Sequence, residues 1–171
     1  MLHLEGSSTG AGLRFAIVVA KFNGFVTERL QAGALDALAS AGVTTDDICV
    51  IKVPGSFEIP FAARQAAEQG RFAAVVCLGC LIKGATAHFE YIASAASHGI
   101  ADAAASTGVP MTFGVLTTSS VEEALERAGA GPSNKGWEAA MAAVEMASLQ
   151  RKIKAAAVKP SGAGDPAIKQ R

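Results

Sequence analysis

The sequence predicts an α/β protein: a three-layer αβα sandwich with a four-stranded parallel sheet and helices on both faces. Short apolar runs alternate along the chain with segments of helical spacing, and such alternation implies parallel strands joined by right-handed crossovers. A length of 171 residues with 50% hydrophobic residues allows one compact domain with a substantial core. Aromatic residues make up only 6% of the chain, and the abundant alanine indicates thin, closely packed helices.

The predicted strands are four apolar runs of the kind that parallel strands, buried on both faces, usually show. They cover residues 13–20, 47–53, 73–81 and 111–116. The predicted helices, each counted from its first residue or its cap, cover about residues 24–40, 56–70, 86–107, 119–127 and 134–154.

Residues that begin and end helices occur at the expected places. The predicted N-caps are Asn23, Ser56, Ser119 or Ser120, and Asn134. Pro60 falls in a first helical turn, where its missing N–H is harmless, while Gly42 and Gly108 end the helices before them.

A single domain, residues 13–154, contains all of these elements. Residues 1–12 are polar and glycine-rich, which predicts an arm that becomes ordered only against a partner chain. Residues 155–171 are predicted to form a disordered tail, because proline, glycine and charged residues dominate its sequence.

Charge and hydropathy exclude several classes of function. Fifteen basic residues balance fifteen acidic ones, so the net charge favours neither nucleic acid nor a membrane surface as a partner. The apolar runs are too short to span a bilayer, and the first residues lack the order of a secretory signal. We therefore expect a cytoplasmic protein with no nucleic-acid partner and no membrane partner.

Three cysteines, Cys49, Cys77 and Cys80, lie in strand-like surroundings. The spacing of Cys77 and Cys80 imitates a redox or zinc CxxC motif, but residues three apart on a strand face opposite sides of a sheet. A redox pair also normally begins a helix, which this pair does not. The sequence favours reduced thiols, in keeping with a cytosolic compartment.

Unusual residues follow the predicted strands at the edge where open α/β sheets bind ligands, beyond the carboxyl ends of the strands. Phe22 and Asn23 follow the first strand, residues 54–58 the second and residues 79–88 the third, while Phe113 lies within the fourth. Because the strands are parallel, these features are expected to converge on one edge. The convergence predicts a small-molecule site.

The turn that leads from Gly79 into the third helix is the most informative segment. Its backbone presents free N–H groups beside the positive end of a helix dipole, which suits an anionic ligand. His88, in the first turn of that helix, titrates near neutral pH and can carry a proton. A structural or merely exposed histidine is the alternative.

Four further side chains each admit two interpretations. Phe22 could be a core residue or a platform that stacks a flat heterocycle. Glu58 could be a favourable charge in the first turn of a helix or an acceptor for ligand hydroxyls. Arg127 and Lys135 could be solvated charges or an anion clamp, since arginine binds phosphate through a bidentate fork.

Familiar nucleotide, metal and hydrolase signatures are missing from the sequence. Residues 129–136 lack the GxxxxGK[ST] order and no GxGxxG follows the first strand, so ATP and NAD lose support as ligands. No group of His, Asp, Glu and Cys has metal-ligand spacing, and the Gly-x-Ser-x-Gly elbow is absent. We expect no metal and no cofactor.

Taken together, these residues resemble the 6,7-dimethyl-8-ribityllumazine synthase family of riboflavin biosynthesis. The similarity covers roughly residues 13–149 and implies a flavodoxin-like winding of the sheet. Its segments are highly specific in their order and spacing: RF at 14–15, FN at 22–23, VPGSFEIP at 53–60, LIKGATAHFEY at 81–91, GVLT at 114–117 and NKGWEAA at 134–140.

The resemblance implies a cofactor-independent condensation of 5-amino-6-(D-ribitylamino)uracil with L-3,4-dihydroxy-2-butanone 4-phosphate. It assigns His88 as the proton donor. The residues implied to bind the pyrimidine and ribityl groups are Phe22, Ser56, Phe57, Glu58, Cys80, Leu81, Ile82 and Phe113. Those implied to bind the butanone phosphate are Ala85, Thr86 and Arg127, with Asn23 and Lys135 as second-tier site candidates.

The same resemblance implies a homo-oligomer, at minimum a pentamer, with active sites shared between subunits. Phe113, Arg127 and Lys135 would then come from the adjacent subunit, and the arm at residues 1–12 would pair with a neighbour. The loop at residues 129–134 has no insertion, which favours stacking of pentamers into a 60-subunit icosahedral shell. Lys83 and Glu90 stand where many bacterial members carry Arg and Asp.

Two rival functions remain open at this point. A riboflavin synthase of the pentameric type has the same fold but would need no phosphate site. A catalytically silent shell protein or flavin carrier would need no complete set of site residues. Arg127 with residues 85–86 argues against the first alternative, and the full site argues against the second.

Overall fold

The computed structural model describes residues 1–157, and within them five α-helices accompany four strands. The strands are β1 (Phe15–Ala20), β2 (Ile48–Val53), β3 (Ala74–Ile82) and β4 (Met111–Thr118). The helices are α1 (Gly24–Ser40), α2 (Ile59–Glu68), α3 (His88–Thr107), α4 (Val121–Arg127) and α5 (Lys135–Ala157). Helix α5 thus runs three residues beyond its predicted end, and residues 158–171 of the predicted tail lie outside the described residues.

All four strands are parallel, in the order β2-β1-β3-β4. The register places Phe15 beside both Ile48 and Ala74, and Val75 beside Met111. The chain steps from β1 outward to β2 and then crosses to β3 on the other side of β1. The direction of winding therefore reverses between β1 and β3, which opens a crevice at their carboxyl ends.

Helices cover both faces of the sheet, so the predicted three-layer sandwich is confirmed. Helices α1, α4 and α5 share one apolar layer with the sheet, and α2 and α3 share the other. Strand β1 is buried along its whole length because its side chains alternate between the two layers. Phe15 and Ile17 face α1 and α5, whereas Ala16 and Val18 face α2 and α3.

Two of the predicted caps are confirmed. The side-chain oxygen of Asn134 accepts hydrogen bonds from the N–H groups of Gly136 (2.7 Å) and Trp137 (3.2 Å) at the start of α5. The hydroxyl of Ser120 accepts one from the N–H of Glu123 (3.1 Å), whose carboxylate in turn accepts from the N–H of Ser119 (2.8 Å). The pair differs from a capping box in one respect, because Glu123 accepts from the residue before the cap and not from the cap itself.

Two other predicted caps are wrong. Asn23 precedes α1 but adopts a left-handed conformation (φ 56°), and its side chain makes no capping bond there. Ser56 lies inside a short 3₁₀ turn, Ser56–Glu58, so α2 begins only at Ile59. Helix α3 likewise begins at His88 rather than Thr86, because residues 84–87 form a turn of their own.

Within the N-terminal arm, residues 1–12, residues 5–7 contact α5 of their own chain. The Ser7 N–H donates to the Ser148 hydroxyl (3.2 Å), and the two hydroxyls are 2.9 Å apart. The Lys152 ammonium donates to the Glu5 carbonyl (2.7 Å). Its pairing with a neighbouring chain stays a prediction. Across residues 1–157, no helix combines the length and apolar character needed to cross a bilayer.

The two cysteines of the CxxC spacing face opposite layers, as predicted for a strand. Cys77 packs in the layer under α2 and α3, and Cys80 in the layer under α1 and α5. Burial raises the pKa of the Cys77 thiol to about 12 and that of Cys80 to about 11. Both thiols are therefore neutral and shielded in the folded chain.

Alkylation of the native protein at pH 8 is expected to modify the half-buried Cys49 and to spare Cys77 and Cys80. The raised pKa values also predict that stability is fully present below about pH 9 and falls as the pH rises toward 11–12, because the unfolded chain ionises first. Mass spectrometry after iodoacetamide, with and without urea, measures the first effect. Modification of Cys77 without unfolding would contradict the burial argument.

Candidate active site

A cavity of about 630 Å³ lies at the carboxyl ends of β1, β2 and β3, where the winding reverses. Its walls come from the loops that follow these three strands and from the first turns of α3. The lining residues are Phe22, Asn23, Pro54, Gly55, Ser56, Phe57, Glu58, Leu81, Ile82, Gly84, Thr86, His88, Phe89 and Ile92. The edge predicted from the sequence is therefore the edge that carries the cavity.

Phe22 is exposed over 67% of its surface, so it is not a core residue. Two backbone hydrogen bonds hold its loop against the loop after β2, from Lys21 N–H to the Val53 carbonyl (2.8 Å) and from Phe22 N–H to the Pro54 carbonyl (3.0 Å). Phe57, on the same cavity, is 58% exposed. Large exposed aromatic rings on a fixed backbone suit the stacking of a flat ring.

Asn23 joins the loop after β1 to the end of β3. Its side-chain N–H donates to the Cys80 carbonyl (2.9 Å), and its left-handed backbone allows this direction. Cys80 itself does not line the cavity, because its side chain is buried in the opposite layer. Only the backbone carbonyl of Cys80 contributes to the site, because it anchors the loop that carries Phe22.

Glu58 closes the 3₁₀ turn after β2. One of its carboxylate oxygens accepts a hydrogen bond from the Gly55 N–H (2.9 Å). This bond gives Glu58 a capping role in the 3₁₀ turn before α2 and not in the first turn of α2 itself. Its carboxylate also lines the cavity, where the role as an acceptor for ligand hydroxyls stays a prediction. The side chain of Ser56 is buried against Gly79, where a Cβ would lie 2.6 Å from the Ser56 hydroxyl oxygen.

Residues 84–87 form an exposed turn that ends at His88, the first residue of α3. The first amide groups of a helix have no carbonyl partner within the helix, so this turn presents donors at the positive end of a 20-residue helix. His88 is exposed and lines the cavity beside Thr86. Ala85 belongs to the turn but does not line the cavity.

A second cavity, of about 470 Å³, lies between β4, α4 and the start of α5. Phe113, Arg127 and Lys135 all line it, and none of them lines the first cavity. Phe113 pairs with Cys77, halfway along β3, so the expectation that it joins the others at the strand ends is wrong for a single chain.

The cationic groups of the second cavity are held by their own chain. Arg127 donates from Nη1 to the Glu123 carbonyl (3.1 Å), one turn earlier in α4. The Lys135 ammonium lies 2.8 and 2.7 Å from the two carboxylate oxygens of Glu138. Both cationic side chains are solvent-accessible, and these hydrogen bonds fix their orientation.

Several lining residues were not singled out by the sequence analysis, and three of them had a local signal that could have found them. Phe89 and Ile92 stand one and four positions after His88, and this helical spacing could have indicated an apolar wall beside it. Glu138 lines the second cavity three positions after Lys135, which is the spacing of a helical ion pair. Within residues 1–157, no group of three or more His, Cys, Asp and Glu side chains could hold a metal ion.

Fold and cavity together indicate a small-molecule enzyme of the α/β class, with exposed aromatic rings, a carboxylate, an imidazole and the first N–H groups of a helix at one sheet edge. A family model described as 6,7-dimethyl-8-ribityllumazine synthase matches residues 12–151. The chain belongs to this family, and it is a transferase of riboflavin biosynthesis.

Two curated relatives carry the same description, 6,7-dimethyl-8-ribityllumazine synthase. The protein of Syntrophus aciditrophicus (strain SB) is 52% identical over 149 residues, which cover 87% of this chain and 97% of the relative. The protein of Desulfatibacillum aliphaticivorans is 48% identical over 151 residues, covering 88% and 97% respectively. The resemblance inferred from the sequence is therefore confirmed.

Proposed function

We propose that this chain condenses 5-amino-6-(D-ribitylamino)uracil with L-3,4-dihydroxy-2-butanone 4-phosphate to give 6,7-dimethyl-8-ribityllumazine, phosphate and water. One observation carries the proposal: a single cavity joins the exposed ring of Phe22, the carboxylate of Glu58 and the imidazole of His88 at the start of α3. A flat ring, a polyol chain and a phosphate each have a matching group there.

The pyrimidine and its ribityl chain occupy the Phe22 side of the cavity in this proposal. The exposed Phe22 ring stacks on the pyrimidine, and residues 56–58 hold the ribityl hydroxyls. The backbone of residues 80–82, together with the backbone at Phe113 of a neighbouring chain, completes the pyrimidine pocket. The fixed position of the Phe22 loop supports this assignment, since Asn23 and two backbone bonds anchor it.

The phosphate of the second substrate binds at the turn before α3 in this proposal. Ala85 and Thr86 present backbone N–H groups at the positive end of the helix, and Arg127 supplies a bidentate positive charge. Lys135 stands beside Arg127 in the same cavity as a second cation.

His88 serves as the proton carrier of the condensation. Attack of the 5-amino group on the ketone forms a carbinolamine, whose hydroxyl leaves as water once it is protonated. Loss of phosphate, and closure of the second ring with loss of a second water, again require protons to be moved at neighbouring atoms. A histidine imidazole can both donate and accept these protons. Orientation of the two substrates supplies much of the acceleration, on the order of 7–11 kcal/mol.

The proposed site is complete only when a neighbouring chain contributes to it. Phe113, Arg127 and Lys135 line a cavity separate from that of His88, so an adjacent subunit would bring them to the first cavity. The assembly proposed is a homopentamer that can stack into a 60-subunit shell, without cofactor, in the cytoplasm. The arm at residues 1–12 would pair with a neighbour in it.

The proposal is tested by mixing the purified chain with both substrates and following the lumazine chromophore, while light scattering gives the mass. Formation of lumazine by particles of at least pentamer mass supports it. A monomer, or a chain that consumes lumazine without forming it from the two substrates, contradicts it. The second outcome would indicate a riboflavin synthase instead.

Arg127→Ala is expected to raise the KM for the butanone phosphate roughly 10- to 100-fold, the effect of losing one charge-assisted bidentate contact. The KM for the pyrimidine substrate should stay within about twofold, since the stacking platform is untouched. Steady-state kinetics with each substrate varied in turn measures the split. Arg64→Ala, which removes an exposed arginine paired with Glu68 on α2, is the matched control. Equal changes in both KM values would contradict the phosphate role.

A further inference from the structure

Lys83 and Glu90 form an ion pair that bridges the turn at residues 84–87. The Lys83 ammonium lies 3.3 Å from a carboxylate oxygen of Glu90, and both side chains are half-exposed. Lys83 is the first residue after β3, where its N–H donates to the Thr118 carbonyl (2.8 Å). Glu90 is the third residue of α3. The pair therefore connects a backbone fixed to the sheet with the first turn of the helix.

Glu90 places a negative charge at the end of α3 that attracts anions. Its own backbone N–H and the ammonium of Lys83 hold the pKa of the Glu90 carboxyl below its usual value, so the group is ionised at neutral pH. An ionised carboxylate in the first turn is itself stabilised by the positive end of the helix dipole. A substrate phosphate on residues 85–86 would share that positive end with a like charge four to five residues away.

We propose that Lys83 and Glu90 act as a matched positioning pair, in which Lys83 neutralises Glu90 so that the turn at residues 84–87 can accept the phosphate of the substrate. This inference rests on the proposed function, which places that phosphate on the turn. Neither residue lines the cavity, so the pair acts on the substrate through the electric field and the geometry of the turn.

A merely structural role would give a different result. Half-exposed ion pairs contribute little to stability, because solvent screens them and the side chains lose freedom. The thermal midpoint should thus change little when either partner is replaced. The positioning role instead predicts a KM effect that depends on which charge is left behind.

The decisive experiment compares Lys83→Met, Glu90→Gln and the double variant in the steady-state assay. Lys83→Met leaves Glu90 uncompensated, so the KM for the butanone phosphate is expected to rise roughly fivefold while kcat and the pyrimidine KM stay the same. Glu90→Gln should leave that KM unchanged or lower it. The double variant should return it to within about twofold of the unsubstituted chain, because the repulsive charge is gone.

The ion pair of Arg64 and Glu68 on α2 provides the control. It joins a cation and a carboxylate of similar exposure away from the cavity, so Arg64→Met and Glu68→Gln should leave both KM values unchanged. A double variant as poor as Lys83→Met would overturn the inference, since Lys83 would then act on its own. An unchanged KM in Lys83→Met would overturn it as well.

Binding of inorganic phosphate, measured by calorimetry, separates this inference from the proposed reaction. Without turnover, we expect the unsubstituted chain and the double variant to bind phosphate with the same affinity, and Lys83→Met to bind it more weakly. If the three proteins keep this order of phosphate affinities but the unsubstituted chain forms no lumazine, the proposed function alone is overturned. A chain that forms lumazine while all three proteins bind phosphate equally overturns the pairing alone.

Discussion

Gly136→Ala is expected to lower the free energy of unfolding by about 3 kcal/mol, at the upper end of the usual cost of overpacking. A Cβ at this position would overlap the Leu30 carbonyl oxygen and lie 2.7 Å from its carbon and 2.9 Å from its Cα. These atoms are backbone of α1, so neither side can turn away. Helices α1 and α5 would have to separate, although alanine is intrinsically the better helix former.

Urea unfolding followed by circular dichroism measures this loss at a fixed chain concentration, because the proposed assembly would also contribute to stability. Gly24→Ala is the matched control, since the nearest atom to a Cβ there is the Glu28 carboxylate at 3.9 Å. The control should lose nothing measurable. A Gly136→Ala chain as stable as the control would show that α1 and α5 can move apart freely.

The order of elements was predictable because strand and helix patterns are local. Each of the four strands lies where an apolar run predicts it, within two residues at every boundary. Strand β4 is longer than predicted, because it extends to Thr118 and the apolar run ends at Leu116. Thr117 and Thr118 pair with Leu81 and Ile82, and no feature of their own side chains reveals that partner strand.

The wrong caps have a common physical reason. Asparagine and serine are favoured at helix starts because their side chains can bond nearby amides, but the same groups can bond or pack elsewhere. Asn23 donates to the Cys80 carbonyl, 57 positions away in the sequence. Ser56 is buried against Gly79 on β3. Only the tertiary structure offers these partners, so a local pattern cannot distinguish the two uses.

The candidate site was predictable as a set of residues but not as an arrangement. The strand-end positions of Phe22, Glu58 and His88 follow from the parallel sheet, and one cavity contains all three. The exposure of Phe22 decides between core and platform, and exposure depends on what packs around a residue. The separation of Arg127 from His88 depends on where α4 and α5 lie, which no spacing along the chain encodes.

The largest functional effect is expected from mixing two inactive variants. His88→Asp removes the imidazole and sets a negative charge beside the turn proposed to bind the phosphate, and Arg127→Glu reverses one positive charge in the second cavity. Each homogeneous variant should fall at least roughly 100-fold in kcat/KM. His88→Asp removes the proposed proton carrier and adds a negative charge beside the phosphate, and Arg127→Glu turns an attraction for phosphate into a repulsion. Both positions are exposed, and an acidic residue at the first position of α3 suits the helix dipole, so folding should survive.

Co-assembled equal amounts of the two variants should regain about one quarter of the unsubstituted activity, if each site takes His88 from one chain and Arg127 from its neighbour in a closed ring. In random mixing, half of the chains present an intact His88 side and half of the neighbours an intact Arg127 side. An interface is active when an intact His88 side meets an intact Arg127 side, and the other three of the four combinations stay inactive. Differently tagged chains, unfolded and refolded together, provide the mixture.

A site contained within one chain would behave differently, because mixing could not rejoin an intact His88 with an intact Arg127. The mixture would then show only the average of its two components. His88→Asp mixed with Glu58→Lys is the control. Both changes fall in the first cavity, so every chain of this mixture carries a damaged first cavity and no interface can be intact. Recovery in the test mixture and none in the control would require the two cavities of different chains to face each other. Recovery in neither would place both halves of the chemistry in a single chain, against the separation of the two cavities.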